Sequence, residues 1–187
     1  MTPSDGRRGR ASQPLSLKAR AIALLAQREH SAMELRRKLL RIARDRQAEA
    51  AEASGGSSDD FSEEDDSQSP NGEVDAVLDW LKANGYLDES RFVESRIHVR
   101  SQRFGQKRIE QELAQHGLSL DAEQRSVLAA GELDRACEML RRKFGEGPAV
   151  DAAALAKRLR FLMGRGFGGD LARRAVRRVA AGSDVDD

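Results

Sequence analysis

The chain has a single cysteine, Cys137, among 187 residues, so no disulfide can close within it. That usage suits a reducing cytoplasm. Only four prolines occur, and aromatics make up 4%. A large aromatic core is therefore excluded, and Leu, Ala and a few Phe must fill any interior. No apolar run approaches the roughly 18–20 residues that a membrane span needs. The arginines near Met1 have no apolar stretch behind them, so a secretory signal is not expected either.

Chemistry-bearing constellations are equally scarce. His30, His98 and His116 fall on different helices or caps, and none has a second His or Cys at metal-ligand spacing. No phosphate-cradling Walker loop occurs. The segment Gly164-Arg-Gly-Phe-Gly-Gly169 lacks the preceding strand that a dinucleotide fingerprint requires, and reads as a turn between helices. Carboxylate pairs crowd only a stretch with nothing to hold them in register. Cys137 lies on an apolar stripe and reads as a small buried hydrophobe rather than a nucleophile. The sequence therefore predicts a protein that is not an enzyme, with no metal and no cofactor.

What is present is charge and helix-forming residues. Ala, Leu, Arg and Glu dominate, a composition that favours helices over strands. The net charge of +1 conceals a division: residues 47–73 hold nine acidic side chains and no Lys or Arg, leaving 32 basic against 22 acidic, net +10, in the remainder. A basic body suits a polyanion or an acidic protein surface. The acidic stretch is too poor in apolar residues to offset its ordering entropy and is expected to be disordered over about 47–72.

Apolar residues recur at helical spacing along the rest. Leu17, Ala21, Leu24 and Leu25 start the first helix, which stops near His30. Ser31-Ala-Met-Glu34 reads as a capping box opening a second helix with Leu35, Leu39 and Ile42 inward. Further helices are predicted from Glu73 to Asn84, Asp88 to Phe104, Lys107 to His116, Asp121 to Ala130, Leu133 to Phe144 and Asp151 to Met163, the last with Leu155, Leu159, Leu162 and Met163 inward. A ninth runs from Asp170 to Ala180. Three places share a phrase with Leu four residues before Gly and an apolar residue after it: Leu81 to Tyr86, Leu113 to Leu118 and Leu162 to Phe167. It fits an internal repeat of about 45 residues, and equally any Gly-capped helix with a hydrophobic follower.

Basic rows run along several helices. Arg37, Arg41 and Arg44 share one spacing, and Arg96, Arg100 and Arg103 repeat it at i, i+4 and i+7. Lys107 and Arg108 open the next helix. Guanidinium groups pair bidentately with carboxylate or phosphate, although each row taken singly could be a solvated face with local Glu–Arg pairs.

One stretch is more specific than its periodicity. Val77-Leu-Asp-Trp-Leu-Lys-Ala-Asn-Gly-Tyr-Leu-Asp-Glu-Ser-Arg-Phe-Val93 resembles the signature of the RecX family of recombination regulators, centred on Gly85-Tyr86-Leu87-Asp88 and Arg91-Phe92. His30-Ser-Ala-Met-Glu-Leu-Arg-Arg-Lys-Leu39 upstream and Arg100-Ser-Gln-Arg-Phe-Gly-Gln-Lys-Arg-Ile-Glu-Gln-Glu-Leu113 downstream extend the likeness. Arg160-Phe-Leu-Met-Gly-Arg-Gly-Phe167 carries it more weakly into the last third. The resemblance implies an all-α fold, an elongated and slightly curved array of three tandem three-helix repeats: 15–87 with the acidic insert, 88–131 and 132–180, flanked by a disordered basic N-terminus 1–14 and an acidic tail 181–187. It implies a cytoplasmic regulator that binds the RecA filament and suppresses its ATPase, strand-exchange and coprotease functions in DNA repair and the SOS response. The expected partner-binding residues are Tyr86, Arg91, Arg96, Arg100, Arg103, Lys107 and Arg108, with Arg37 and Arg41; Phe92 suits the junction between repeats better than a surface. Weak non-specific DNA binding and a monomeric state are expected. Two departures from the family pattern stand out: the acidic insert, and Arg103 where the family tends to have Gly before the aromatic. The alternative is a helix-turn-helix-like DNA-binding protein or transcriptional regulator, with Gln106, Gln111 and Gln115 as base readers.

Overall fold

Ser, Asp and Gly residues delimit nearly every helix of the chain. The computed structural model describes residues 15–53 and 69–182, and these form nine α-helices without a strand. The expected N-terminal arm 1–14, residues 54–68 of the acidic insert and most of the acidic tail lie outside the described residues. In order the helices are α1 (Leu17–Leu25), α2 (Ala32–Ala53), α3 (Pro70–Ala83), α4 (Glu89–Ser101), α5 (Gln106–Ala114), α6 (Ala122–Ala130), α7 (Glu132–Phe144), α8 (Ala152–Gly164) and α9 (Gly169–Ala180). Ser16, Ser31, Ser69, Asp88, Asp121 and Asp151 each accept a backbone N–H at a helix start.

The bounds that differ most from expectation are the end of α1, at Leu25 rather than near His30, and the two edges of the acidic insert. Residues 47–53 continue α2, and Pro70 rather than Glu73 starts α3, so the insert expected to be irregular over 47–72 is helical at both edges. Gln47-Ala-Glu-Ala-Ala-Glu-Ala53 is exposed throughout. It offers no apolar face, but Ala, Glu and Gln are the strongest helix formers, and extending an existing helix needs no new nucleus. At the other edge Pro70 is pre-set for a first helical turn, and the Ser69 hydroxyl accepts the Gly72 N–H.

The helices divide between two compact units. The first holds α1, α3 and most of α2; the second holds everything from Leu87 onward together with the short segment Glu29–Glu34. In the first unit α1 packs on α3, and Leu17, Ala21, Leu35, Leu39, Val74, Leu78 and Leu81 are buried. The Arg36 guanidinium ties α2 to α3 through two hydrogen bonds to Asp75, at 2.8 and 3.0 Å. Lys18 Nζ sits 3.1 Å above the Trp80 ring.

The second unit has two cores. Phe92, Val93, Ile109, Leu113, Leu120 and Leu128 interlock across α4, α5 and α6. Ala136, Cys137, Leu140, Leu162, Phe167, Ala172, Val176 and Val179 do so across α7, α8 and α9. Phe92 is buried, edge-on to His116 at 5.1 Å, so it belongs to the core of α4, α5 and α6 rather than to a surface. His116 Nδ1 is 2.9 Å from the hydroxyl of Ser31, which also caps α2. On α8 the inward face is rotated from the expected one: Leu162 is buried, but Leu155 and Met163 are exposed, and Arg158 is buried instead. Arg158 donates to the Gly147 carbonyl at 2.7 Å and lies over the Phe144 ring. Its apolar stem thus covers core that a leucine stripe was expected to cover.

The shared Leu-x-x-x-Gly phrase has one structural meaning. At Gly85, Gly117 and Gly166 φ is +70°, +71° and +87°. The residue after each glycine donates to the leucine carbonyl: Tyr86 to Leu81, Leu118 to Leu113, Phe167 to Leu162. That is a Schellman stop three times over. It closes α3, α5 and α8, the third helix of the first three but the second of each later three, so the phrase marks helix ends rather than a repeat in register.

The two cores of the second unit meet at a tight backbone junction. Gly105, which starts α5, has no side chain to cap it. The exposed N–H groups of this helix start are satisfied from elsewhere. The Gly105 N–H donates to the Arg165 carbonyl at 3.0 Å and the Lys107 N–H to the Gly166 carbonyl at 3.1 Å. The Gln106 N–H donates to the carboxylate of Glu132, buried at the start of α7, at 2.7 Å.

Candidate functional site

Because the expected site is a set of cations, the decisive property of each is whether a carboxylate already holds it. On α2, Arg37, Arg41 and Arg44 are exposed and none has an ion pair among the described residues. Along that face they line a shallow groove with Lys38, Leu40 and Asp45. The helix turns this stripe outward because Leu35, Leu39 and Ala43 occupy the inward positions.

On α4 and α5 the expected row is not uniform. Arg91 is held 3.1 Å from Glu29 and 3.9 Å from Asp88. Arg100 donates twice to Glu112, at 2.6 and 2.5 Å, and also covers the Phe104 ring at 4.7 Å. Arg108 reaches the same carboxylate at 3.3 Å. These three are locally paired. Arg96 has its guanidinium 5.2 Å from the Phe92 ring centre but no carboxylate partner among the described residues. Arg103 and Lys107 are exposed and unpaired among the described residues. Tyr86 is 45% exposed and stacks on Trp80 at 5.4 Å, a half-covered aromatic plane at the end of α3.

Hydrogen bonding from Arg100, aided by Arg108, holds the Glu112 carboxyl below the usual carboxylate range. A carboxylate with a lowered folded pKa stabilises the fold fully above its unfolded value, near 4.3, and that contribution disappears as pH falls through the lower folded one. Wild-type stability should therefore decline between about pH 5 and the acid limit more steeply than that of Glu112→Gln. At neutral pH the variant should be about 1 kcal/mol less stable, the scale of a half-exposed charged hydrogen bond. Urea midpoints measured across pH check both statements, and parallel pH curves would remove Glu112 from the account.

A second group of cations was not legible as a site in the sequence. Arg142 and Lys143 at the end of α7 and Arg165 after α8 share a cleft with Arg103 and Phe104. In the sequence Arg142 and Lys143 look like ordinary cations favoured near a helix C-terminus, and Arg165 like part of a glycine turn. The only indication would have been basic residues near an aromatic, Arg142 and Lys143 before Phe144 and Arg165 after Phe161.

Cys137 is buried, with its thiol directed at the Ala175 carbonyl. Burial pushes the thiol pKa up, away from thiolate reactivity. Among the described residues, no group of three or more His, Cys, Asp or Glu side chains is placed to hold a metal ion, and no helix is long and apolar enough to cross a membrane.

Comparison with known proteins places these elements. Residues 88–122, which span α4 and α5, match the sequence model of the second three-helix domain of RecX, and residues 130–176, which span α7 and α8, match that of the third. The chain is 41% identical over 174 residues to the regulatory protein RecX of Ralstonia pickettii, covering 92% of this chain and 91% of the relative. It is 41% identical over 175 residues to that of Leptothrix cholodnii, covering 92% and 95%. Against that of Herbaspirillum seropedicae the identity is 42% over 156 residues, covering 82% and 84%.

Proposed function

Because this chain belongs to the RecX family, we propose that it is a non-enzymatic regulator that binds the RecA filament and lowers its ATPase, strand-exchange and coprotease activities. The observation that carries this reading is near full-length similarity to regulatory proteins RecX, joined to exposed cations without carboxylate partners among the described residues, Arg37 and Arg41 on α2, Arg103 after α4 and Lys107 on α5. Of the nine residues expected to meet the partner, Arg37, Arg41, Arg96, Arg103 and Lys107 keep their charge uncommitted. Arg91, Arg100 and Arg108 share theirs with Glu29, Asp88 and Glu112, so their main task is to set the helix surfaces. Tyr86 offers an amphipathic plane of the kind enriched at protein interfaces. A protein that contacts several protomers of a polymer in one geometry favours one polymer state over another, which is population shift rather than chemistry.

The test is ATP hydrolysis by RecA on single-stranded DNA with this protein titrated in. Inhibition at well below one molecule per RecA protomer is expected. Unchanged hydrolysis at a molar excess would defeat the proposal.

Sequence-specific duplex reading by α5 is disfavoured by the junction described above. A recognition helix presents its N-terminal residues to base edges. Here the start of α5 is closed by Glu132 and by the Arg165 and Gly166 carbonyls. Gln106, one of the three expected base readers, also donates its side-chain amide to Glu110 at 2.9 Å.

A further inference from the structure

The cleft between the α4–α5 turn, α7 and the end of α8 has a volume of about 860 Å³ and lies wholly within the second unit. Five cations line it: Arg135 is engaged by the Leu128 carbonyl at 2.6 Å, while Arg103, Arg142, Lys143 and Arg165 have no carboxylate partner among the described residues. Glu138 is the only acidic side chain lining it. Elsewhere in this unit Arg91, Arg100, Arg108, Arg173 and Arg178 are held by carboxylates, while Arg174 and Arg177 are exposed without one among the described residues but do not line this cleft. Four uncommitted cations facing one concavity repel each other, and a bound polyanion relieves that repulsion.

Two half-buried aromatic rings also line the cleft, Phe104 and Phe161. The Arg165 guanidinium lies 4.2 Å from the centre of the Phe161 ring. Such a plane, backed by a ring, is a stacking surface for an unpaired base, while lysine and arginine heads track phosphates. A duplex keeps its base faces inside the stack and cannot use that surface. An acidic peptide would leave its backbone groups unmatched, because no strand edge borders the cleft among the described residues. The backbone junction at Gly105 and Gly166 joins the turn carrying Arg103 and Phe104 to the one carrying Arg165, so these groups are held in place before any ligand arrives.

We infer that this cleft is a binding site for the sugar–phosphate backbone of single-stranded nucleic acid, with Arg142 and Lys143 on phosphates and Arg165 beneath a base. The site requires no RecA, so its test is independent of the function proposed above.

The experiment is fluorescence anisotropy of a labelled oligothymidylate with the full chain, without RecA, over a series of salt concentrations. Arg142→Glu/Lys143→Glu should weaken binding at least about tenfold and flatten the log–log salt dependence by about 1.4, from roughly 0.7 per lost phosphate contact on a single strand. Arg165→Ala should weaken it by about tenfold, the scale of one lost stacking contact. Arg174→Glu/Arg177→Glu makes the same charge change on exposed α9 positions and should stay within about threefold if the site, not diffuse charge, binds. Circular dichroism establishes that each variant is folded; should the double reversal lose helix, Arg103→Ala and Arg165→Ala carry the test. Equal loss in the α9 variant would overturn the proposal. So would equal affinity for duplex with the same sensitivity to Arg142→Glu/Lys143→Glu, or displacement of the oligonucleotide by polyglutamate at matched charge, which would mark the cleft as a protein-docking surface.

Discussion

Gly166→Ala is expected to destabilise the second unit by about 3 kcal/mol or more, with a fall in melting temperature of at least about 12 °C on the scale for a domain of this size. Two independent costs combine. The first is conformational: φ at Gly166 is +87°, a region that costs an L-residue with a Cβ roughly 1–2 kcal/mol. The second is steric: a Cβ there would lie 2.6 Å from the Arg108 backbone nitrogen and still closer to the Arg108 Cβ. Relief requires separating the turn from the start of α5. That would lengthen the Lys107 N–H to Gly166 carbonyl bond and unseat the neighbouring one from Gly105. Overpacking of this kind costs about 1–3 kcal/mol.

Two other glycines separate the contributions. Gly145 also has a positive φ, +77°, but open space where a Cβ would go, so Gly145→Ala should show the conformational cost alone, about 1–2 kcal/mol. Gly164 ends α8 with negative φ and open space, so Gly164→Ala should be neutral or slightly stabilising. Thermal melts of the three variants give the ordering. Equal effects at Gly145 and Gly166 would mean the junction contributes nothing.

This junction also shows where the sequence stops being legible. Helix existence and order could be read from period and caps, because Leu, Ala and Asp at 3.6-residue spacing act locally. The Gly85, Gly117 and Gly166 stops could be read for the same reason. The pairing of Gly105 with Arg165 joins two turns some sixty residues apart, and nothing local to either announces it. The rotation of α8 was hidden because Arg158 is polar by type yet covers Phe144 with its stem. The edges of the insert were misread for the opposite reason: 47–53 has no core to join, and intrinsic propensity alone keeps it helical. In the candidate site, residue type and spacing located the cations, but the partition between committed and free arginines depends on carboxylates placed by tertiary packing. Glu112 faces Arg100 and Arg108 from the next helix and the same helix respectively, and only the first of these needed the fold.

That partition determines which substitutions report on partner binding. Arg96→Ala/Arg100→Ala would confound two effects, since removing Arg100 strips Glu112 of its shorter bonds and uncovers Phe104. Arg96→Glu/Lys107→Glu is cleaner: Lys107 is exposed, and neither side chain has an ion pair to break among the described residues. The substitutions leave the backbone bond from Lys107 in place. If this surface meets RecA, each reversal replaces an attraction by a repulsion at the contact. With at least about 1 kcal/mol per site, the concentration needed for half-inhibition of RecA ATPase should rise by 10- to 100-fold. The shift should shrink in high salt, because the lost term is electrostatic. Neither residue lines the α7–α8 cleft, so retention of oligothymidylate should stay within about threefold. A normal melting temperature with unchanged half-inhibition would remove α4 and α5 from the RecA contact. The exposed Arg37, Arg41 and Arg44 stripe of α2 would then be the next cationic surface to test.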